Sequence, residues 1–355
     1  MIYYLILLIL PVIFLIIYYL KNITCNKIAP TSKKWNHFFL LLVIFVIAFY
    51  PIELSNDKDN YLHMYNMAML YGEDYVFRDI GWTLYNRMCA WVFGNIYELF
   101  FLLSATIYVG GIYLYGRKLL SDIYLGYFIV MSAGCIGFSN YGTNVIRAGI
   151  GLSVLLLAMS LDKRKIIVLI LCLIACSIHK SMIIPVFSFY AAKYVNKTWL
   201  FIFFWCLCFT LSVLNVDMGP FFENIGFVDN RVIHYAESIE EERDNYQQGF
   251  RIDFVIYSLV PLLGAFYYKF IKRASDAYYE RLIRMYLMSN AVWLLAIRMA
   301  FTDRLAYLSW FLIPILTLYP VVKYQSRFRS PQHIILLVMT MFMGIRLLLS
   351  LRGAL

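Results

Sequence analysis

The stretch Phe38–Pro51, FFLLLVIFVIAFYP, decides the fold, because it carries neither a charge nor any polar alternation. Ile2–Leu20, IYYLILLILPVIFLIIYYL, is a run of the same kind. A helix needs about 20 apolar residues to cross roughly 30 Å of hydrocarbon, and only helices or closed barrels satisfy their own backbone there. Barrel strands alternate apolar and polar residues over about ten positions, so continuous runs point to helices. Of the 355 residues, 62% are apolar and 15% charged, whereas a soluble domain is roughly half apolar and about a quarter charged. The expected class is all-α: a polytopic integral membrane protein with a single transmembrane domain over residues 1–355.

Working outward from Phe38–Pro51, spans are expected near 2–20, 36–52, 97–115, 123–140, 145–161, 165–179, 181–195, 198–215, 252–270, 284–300, 305–322 and 332–349. The runs from 123 to 195 are so closely joined that two of them can form one kinked pair, giving about ten to twelve spans. Pro185, Pro261 and Pro314 are candidate kinks. Ile2–Leu20 has no basic n-region and no small-x-small cleavage site, so it is read as a retained span. The seven cysteines sit mostly inside apolar runs without histidine or carboxylate partners at ligand spacing, and read as small core residues.

Lys and Arg gather in one set of alternate loops: Lys21 to Lys34, Arg117 and Lys118, Lys163 to Lys165, Lys193 and Lys197, Lys269 to Arg284, and Lys323 to Arg329. Only Asp122, Asp162, Asp276 and Glu280 accompany them, so that side is cytoplasmic and most acids face out. The net charge of +10 therefore reflects topology and gives no sign of nucleic-acid binding. Two outward segments are too long to be simple connectors. Residues 53–97 read as amphipathic helices around Tyr61–Tyr71 and Trp82–Phe93, with Asn56 or Asp57 as a cap, lying at headgroup level. Residues 216–250, which include the charged stretch Glu237–Asp244, read as a loop or lid.

Ionisable groups at membrane depth are costly and mark wet cavities or substrate paths. Here they collect on the outer half: Arg147 after Gly142-Thr143-Asn144, His179 and Lys180 at a polar break, Arg251 with Asp253, and Arg298, Asp303 and Arg304. Several guanidinium groups and a histidine around one watery pocket suit phosphate or pyrophosphate, since the guanidinium fork pairs bidentately with phosphoryl oxygens. The alternative for each arginine is snorkelling or a local pair, as Arg251 has in Asp253. Asp57, Asp59, Asp79, Asp253 and Asp303 are candidate bases or sugar-hydroxyl acceptors, and the sequence does not rank them. Outward aromatics such as Tyr61 suit either interfacial anchoring or stacking on sugar rings. No nucleotide-binding loop, HExxH or GxSxG occurs, which disfavours an ATP-driven pump and a zinc protease.

In order along the chain, Asp59-Asn60-Tyr61, Asp79-Ile80-Gly81-Trp82, Asn144-Val145-Ile146-Arg147, Lys163-Arg164-Lys165, His179-Lys180-Ser181 and Arg304 with Tyr307 and Pro314 resemble the EpsG/Wzy-type polysaccharide polymerases of bacterial surface-glycan pathways. The family often has Gln after the arginine of the third motif, and this chain has Ala148. The resemblance implies a glycosyltransferase in the bacterial cytoplasmic membrane, working on its outer face. It implies transfer of a growing glycan from undecaprenyl pyrophosphate to a lipid-linked repeat unit, in the company of a flippase and a chain-length regulator. In that scheme Arg147 and Arg304 bind the pyrophosphate and His179 assists there or acts as base. One of Asp57, Asp59 or Asp303 orients or deprotonates the acceptor, while Asn144, Tyr61, Lys180, Arg251 and Arg298 line the site; no metal or cofactor is required. An O-antigen ligase or another polyprenyl-linked-sugar glycosyltransferase is the nearest competing reading. A lipid-linked oligosaccharide flippase is the next, although midplane charges and repeat symmetry are lacking.

Overall fold

The computed structural model describes residues 28, 31–55, 57–216, 218, 221, 249–299 and 301–351. The structure is 82% helical, with no strand among the described residues, which excludes the barrel. In chain order the helices are α1 (Lys33–Ala48), α2 (Lys58–Tyr71), α3 (Ile80–Phe93), α4 (Tyr97–Leu120), α5 (Leu125–Gly134), α6 (Ile136–Thr143), α7 (Ile146–Ser160) and α8 (Lys165–Ile178). There follow α9 (Ile183–Tyr194), α10 (Thr198–Val213), α11 (Ile252–Phe266), α12 (Ala277–Leu294), α13 (Thr302–Trp310), α14 (Ile313–Lys323) and α15 (Pro331–Leu351). The expected span 2–20 and most of the 216–250 segment lie outside the described residues.

Among the described residues four stretches are long and apolar enough to cross a membrane: Tyr97–Leu120, Ile252–Ile271, Thr302–Lys323 and Pro331–Leu348. A fifth joins them if Asp122–Gly134 and Ile136–Thr143 make one span. This is fewer than the ten to twelve expected, and the reason is length. Helices α7, α8 and α10 hold 15, 14 and 16 residues, which rise only about 21–24 Å. Together the apolar helices make the chain a multi-pass membrane protein.

The kinked pair expected between 123 and 195 is α5 and α6, bent by 79°. The break falls at Cys135, whose extended backbone (φ −77, ψ 146) interrupts the helix without proline. Broken backbone is tolerated at membrane depth only inside protein, and all of α5 and nearly all of α6 are buried. Of the candidate kinks, Pro261 lies inside α11, while Pro185 and Pro314 stand in the first turns of α9 and α14, where no helical hydrogen bond is lost.

The chain divides into two compact units, one up to Met182 plus Arg329–Met343, the other Ile183–Phe328 plus Gly344–Leu355. In the first, α4 packs on α1 and α7, α7 packs on α8, and the hairpin α2–α3 leans on α8. In the second, α12 is the hub, touching α9, α10 and α13. Its apolar interior encloses a satisfied polar knot: Asn290 Oδ1 accepts from Trp205 Nε1 (2.8 Å), while Asn290 Nδ2 donates to Ser258 Oγ (3.2 Å) and Ser309 Oγ (3.0 Å). Trp310 Nε1 also donates to Ser258 Oγ at 2.8 Å. A buried amide with every arm occupied selects one register among helices that hydrocarbon packing alone would let slide.

Lys58 joins α1 to the α2–α3 hairpin. Its Nζ, 1% exposed at the residue level, donates to the carbonyls of Ile47 (3.4 Å), Ala48 (2.7 Å) and Tyr50 (2.6 Å), and lies 4.5 Å from the centre of the Phe101 ring. It caps the carbonyl end of α1 from a distance. Burial pushes its ammonium down to about 7, against about 10.4 in an unfolded chain. Between those values the unfolded chain holds a proton that the folded one has released, so stability rises with pH across that window. Lys58→Met is expected to flatten this slope and lower the Tm, because each carbonyl left without a donor costs about 1–3 kcal/mol. Thermal unfolding in detergent from pH 7 to about 10 checks it, and parallel curves for both proteins would refute it.

Candidate functional site

The segment 53–97 folds around Trp82, which is fully buried. Its ring meets Tyr61 (centroids 5.5 Å apart), Tyr85 (5.4 Å) and Phe100 (6.1 Å). The two helices expected here are present as α2 and α3, ended by Gly72 (φ 51) and Gly94 (φ 52), whose positive φ costs a glycine little. The cap differs from expectation. Asp57 precedes α2 without a side-chain capping bond, and Ser55 Oγ accepts the Lys58 N–H instead, at 3.0 Å. Asn56 lies outside the described residues.

Between α2 and α3 the chain is clipped down by side chains of α3. Thr83 Oγ1 accepts from the Phe77 N–H (2.9 Å), and Arg87 donates from Nε to the Tyr75 carbonyl (2.8 Å) and from Nη2 to that of Glu73. These clips fix Asp79 at the head of α3. Gly81 then brings α3 against α8 so closely that an added Cβ would lie 2.8 Å from the Ser177 carbonyl carbon and 2.9 Å from the Ile178 nitrogen.

That contact assembles the site. Asp79 Oδ2 lies 2.7 Å from Arg147 Nη1 and 3.8 Å from His179 Nδ1, with side chains 4%, 10% and 22% exposed for Asp79, Arg147 and His179. Asp79 Oδ1 is buried without a hydrogen-bond partner among the described residues. The Arg147 guanidinium also lies 4.8 Å from the centre of the Phe77 ring. Arg147 is the second residue of α7, at the positive end of that helix, and Val145 before it supplies no side-chain cap. Burial works to raise the Asp79 carboxyl, but the neighbouring His179, the Arg147 charge and Arg78 outweigh it and hold the group below the usual carboxylate range. The result is an anion-binding arginine, a partly exposed imidazole and a fixed carboxylate, brought together from three separate parts of the chain.

The EpsG family model matches residues 34–354, almost the whole chain. The chain belongs to the EpsG family. Members of the EpsG family are polysaccharide polymerases, which makes this a glycosyltransferase-type enzyme of polysaccharide biosynthesis. No curated protein and no solved structure matches it.

The other candidate residues of this EpsG-family chain are placed differently. Asn144 is a brace: its Oδ1 accepts from Ser55 Oγ (2.8 Å) and its Nδ2 donates to Asn140 Oδ1 (3.0 Å), tying the hairpin to the α6–α7 turn. Tyr61 is only 6% exposed and packs on Trp82, so its ring belongs to the interior of the hairpin. Asp59 is exposed on α2, Asp57 is half-buried, and Lys180 is exposed immediately after His179.

The remaining four belong to the second unit. Arg251 pairs fork-to-fork with Asp253 (3.0 and 2.7 Å) and lies 3.7 Å from the centre of the Phe254 ring, as the local-pair alternative expected. Arg298 donates to the Ser212 carbonyl (3.3 Å), Arg304 lies 4.9 Å from the centre of the Phe301 ring, and Asp303 is half-buried beside it. No group of three His, Cys, Asp or Glu side chains among the described residues is arranged to hold a metal ion. The scheme drawn from sequence chose among Asp57, Asp59 and Asp303 and passed over Asp79; the signal available was its place two residues before Gly81, at the start of a helix.

Proposed function

We propose that this EpsG-family chain transfers a growing glycan from undecaprenyl pyrophosphate to a hydroxyl of a lipid-linked repeat unit, at the outer face of the bacterial cytoplasmic membrane. The acceptor oxygen forms a bond to the anomeric carbon as the bond from that carbon to the pyrophosphate breaks. The hydroxyl proton passes to a base, and undecaprenyl pyrophosphate leaves with the bonding pair. Arg147 stabilises the negative charge that grows on the leaving group, helped by the positive end of α7. His179, the most exposed of the three clustered side chains, takes the proton. Arg304 is a second candidate for the pyrophosphate and Asp303 or Asp59 for orienting the acceptor, with Lys180, Arg251, Arg298 and Asp57 as further candidates for substrate contacts. Repeat units reach this face through a flippase, and a chain-length regulator meets the product.

The observation that carries the reading is the meeting of Arg147 and His179 on one buried carboxylate. The test is a reconstitution: full-length protein in vesicles with lipid-linked repeat units, following glycan length and undecaprenyl pyrophosphate together. One pyrophosphate carrier is expected per bond formed. His179→Ala is expected to slow lengthening by about 100-fold or more without abolishing it. A normal length distribution from that variant would return His179 to a structural role.

A further inference from the structure

We propose that Asp79 is a positioning residue that couples capture of the lipid diphosphate to the action of His179, by giving up Arg147 to the ligand and turning its own charge to the imidazole. The inference rests on the polymerase reading and adds a role to a residue that reading leaves idle.

The geometry supplies the reason. A single oxygen, Asp79 Oδ2, faces two cationic or potentially cationic groups at unequal distances, 2.7 Å to Arg147 and 3.8 Å to His179. Without ligand the arginine holds the carboxylate and the imidazole stands just beyond hydrogen-bond reach. A diphosphate offers the guanidinium more charge and a better-matched pair of oxygens than one carboxylate oxygen does. Once Arg147 turns to it, the buried Asp79 still faces His179 Nδ1, which can donate a proton to it. A hydrogen bond there puts the proton on Nδ1 and leaves the Nε2 lone pair to receive the acceptor hydroxyl proton, the arrangement by which a buried carboxylate serves a catalytic histidine.

Asp79 itself is unsuited to be the base, since both its oxygens are buried and its neighbours weaken its basicity. The charged groups around the pair are Arg78 next to it in the chain, Arg147 from α7, and the exposed Lys180 after His179. Arg87 from α3 is turned to the Glu73 and Tyr75 carbonyls. The consequence is order: the imidazole becomes a competent base only when the donor's diphosphate is seated.

The test compares affinity with turnover in full-length Asp79→Asn and Asp79→Glu proteins in vesicles, using undecaprenyl pyrophosphate as the binding probe and lipid-linked repeat units for elongation. Asp79→Asn removes the internal competitor for Arg147, so the probe is expected to bind about tenfold tighter. Elongation is expected to fall by about 100-fold, with the acidic limb of its pH profile moved to lower pH and much of the rate recovered in Asp79→Glu. A residue with only a structural role would lose affinity and rate together, and that result, or elongation at the wild-type rate, overturns the coupling.

Should Asp79→Asn fail to assemble, the wild-type chain carries the test. Spectra of isotope-labelled histidine, with His179 assigned through His179→Gln, are expected to show a hydrogen-bonded Nδ1 proton only after the probe is added; identical spectra with and without it overturn the coupling. The two levels fail separately. If the probe does not bind the wild-type chain, or binds Arg147→Ala equally well, the polymerase mechanism falls and the coupling with it. If Arg147→Ala is inactive while Asp79→Asn loses binding and rate in parallel, the coupling alone falls.

Discussion

Arg147→Ala is expected to abolish glycan lengthening and leave single repeat units on the lipid carrier. Arg147 stands at the N-terminal turn of α7, 2.7 Å from a buried carboxylate, so its guanidinium is held in one place before any ligand arrives. Removing it deletes a fixed positive charge where the leaving diphosphate gains negative charge, a loss of about 100- to 1,000-fold for a single electrostatic donor. It also leaves Asp79 buried without its partner, which costs stability as well. Lysine is not expected to rescue the variant, because a point charge lacks the fork that meets two phosphoryl oxygens in one plane. The measurement is a gel of surface glycan and of lipid-linked sugars from cells that depend on this chain. Full ladders from a well-inserted Arg147→Ala protein would remove the arginine from the mechanism.

Gly81→Ala is expected to disable the enzyme from a position with no functional group at all. The new Cβ would lie 2.8 and 2.9 Å from backbone atoms of Ser177 and Ile178, and backbone cannot swing aside as the end of a side chain can. Helix α3 must retreat from α8, carrying Asp79 away from His179. Overpacking of this kind costs about 1–3 kcal/mol, and the displacement is expected to lower elongation by about 100-fold, since a shift of about 1 Å has that effect. Gly110→Ala is the control, because nothing lies within 4 Å of a Cβ built there. Lengthening and thermal unfolding measured side by side decide the matter. Normal ladders from Gly81→Ala would mean that the α3–α8 contact does not set the site.

The legible part of the site was its chemistry. Arg147 and His179 stand out in sequence because ionisable residues at the ends of apolar runs are costly and need a reason. Asp79 was visible as one carboxylate of five and as the head of Asp79-Ile80-Gly81-Trp82, but nothing near it in the chain records that Gly81 will dock against Ser177. Tyr61 shows the opposite error: an outward aromatic beside a polar opening reads as a surface ring, yet it packs on Trp82. Arg251 needed no tertiary information, because its partner Asp253 lies two positions away.

Composition and run length were sufficient for the class, because the exclusion of backbone polar groups from hydrocarbon leaves a uniformly apolar chain few structures to adopt. They also marked the two helices Lys58–Tyr71 and Ile80–Phe93, which fall where the amphipathic stretches were expected. Tertiary structure alone decided how many helices are long enough to span, that the chain breaks by 79° at Cys135, and which carboxylate receives Arg147. Those outcomes depend on contacts between residues far apart in sequence, where the distance between two backbones decides and residue type does not.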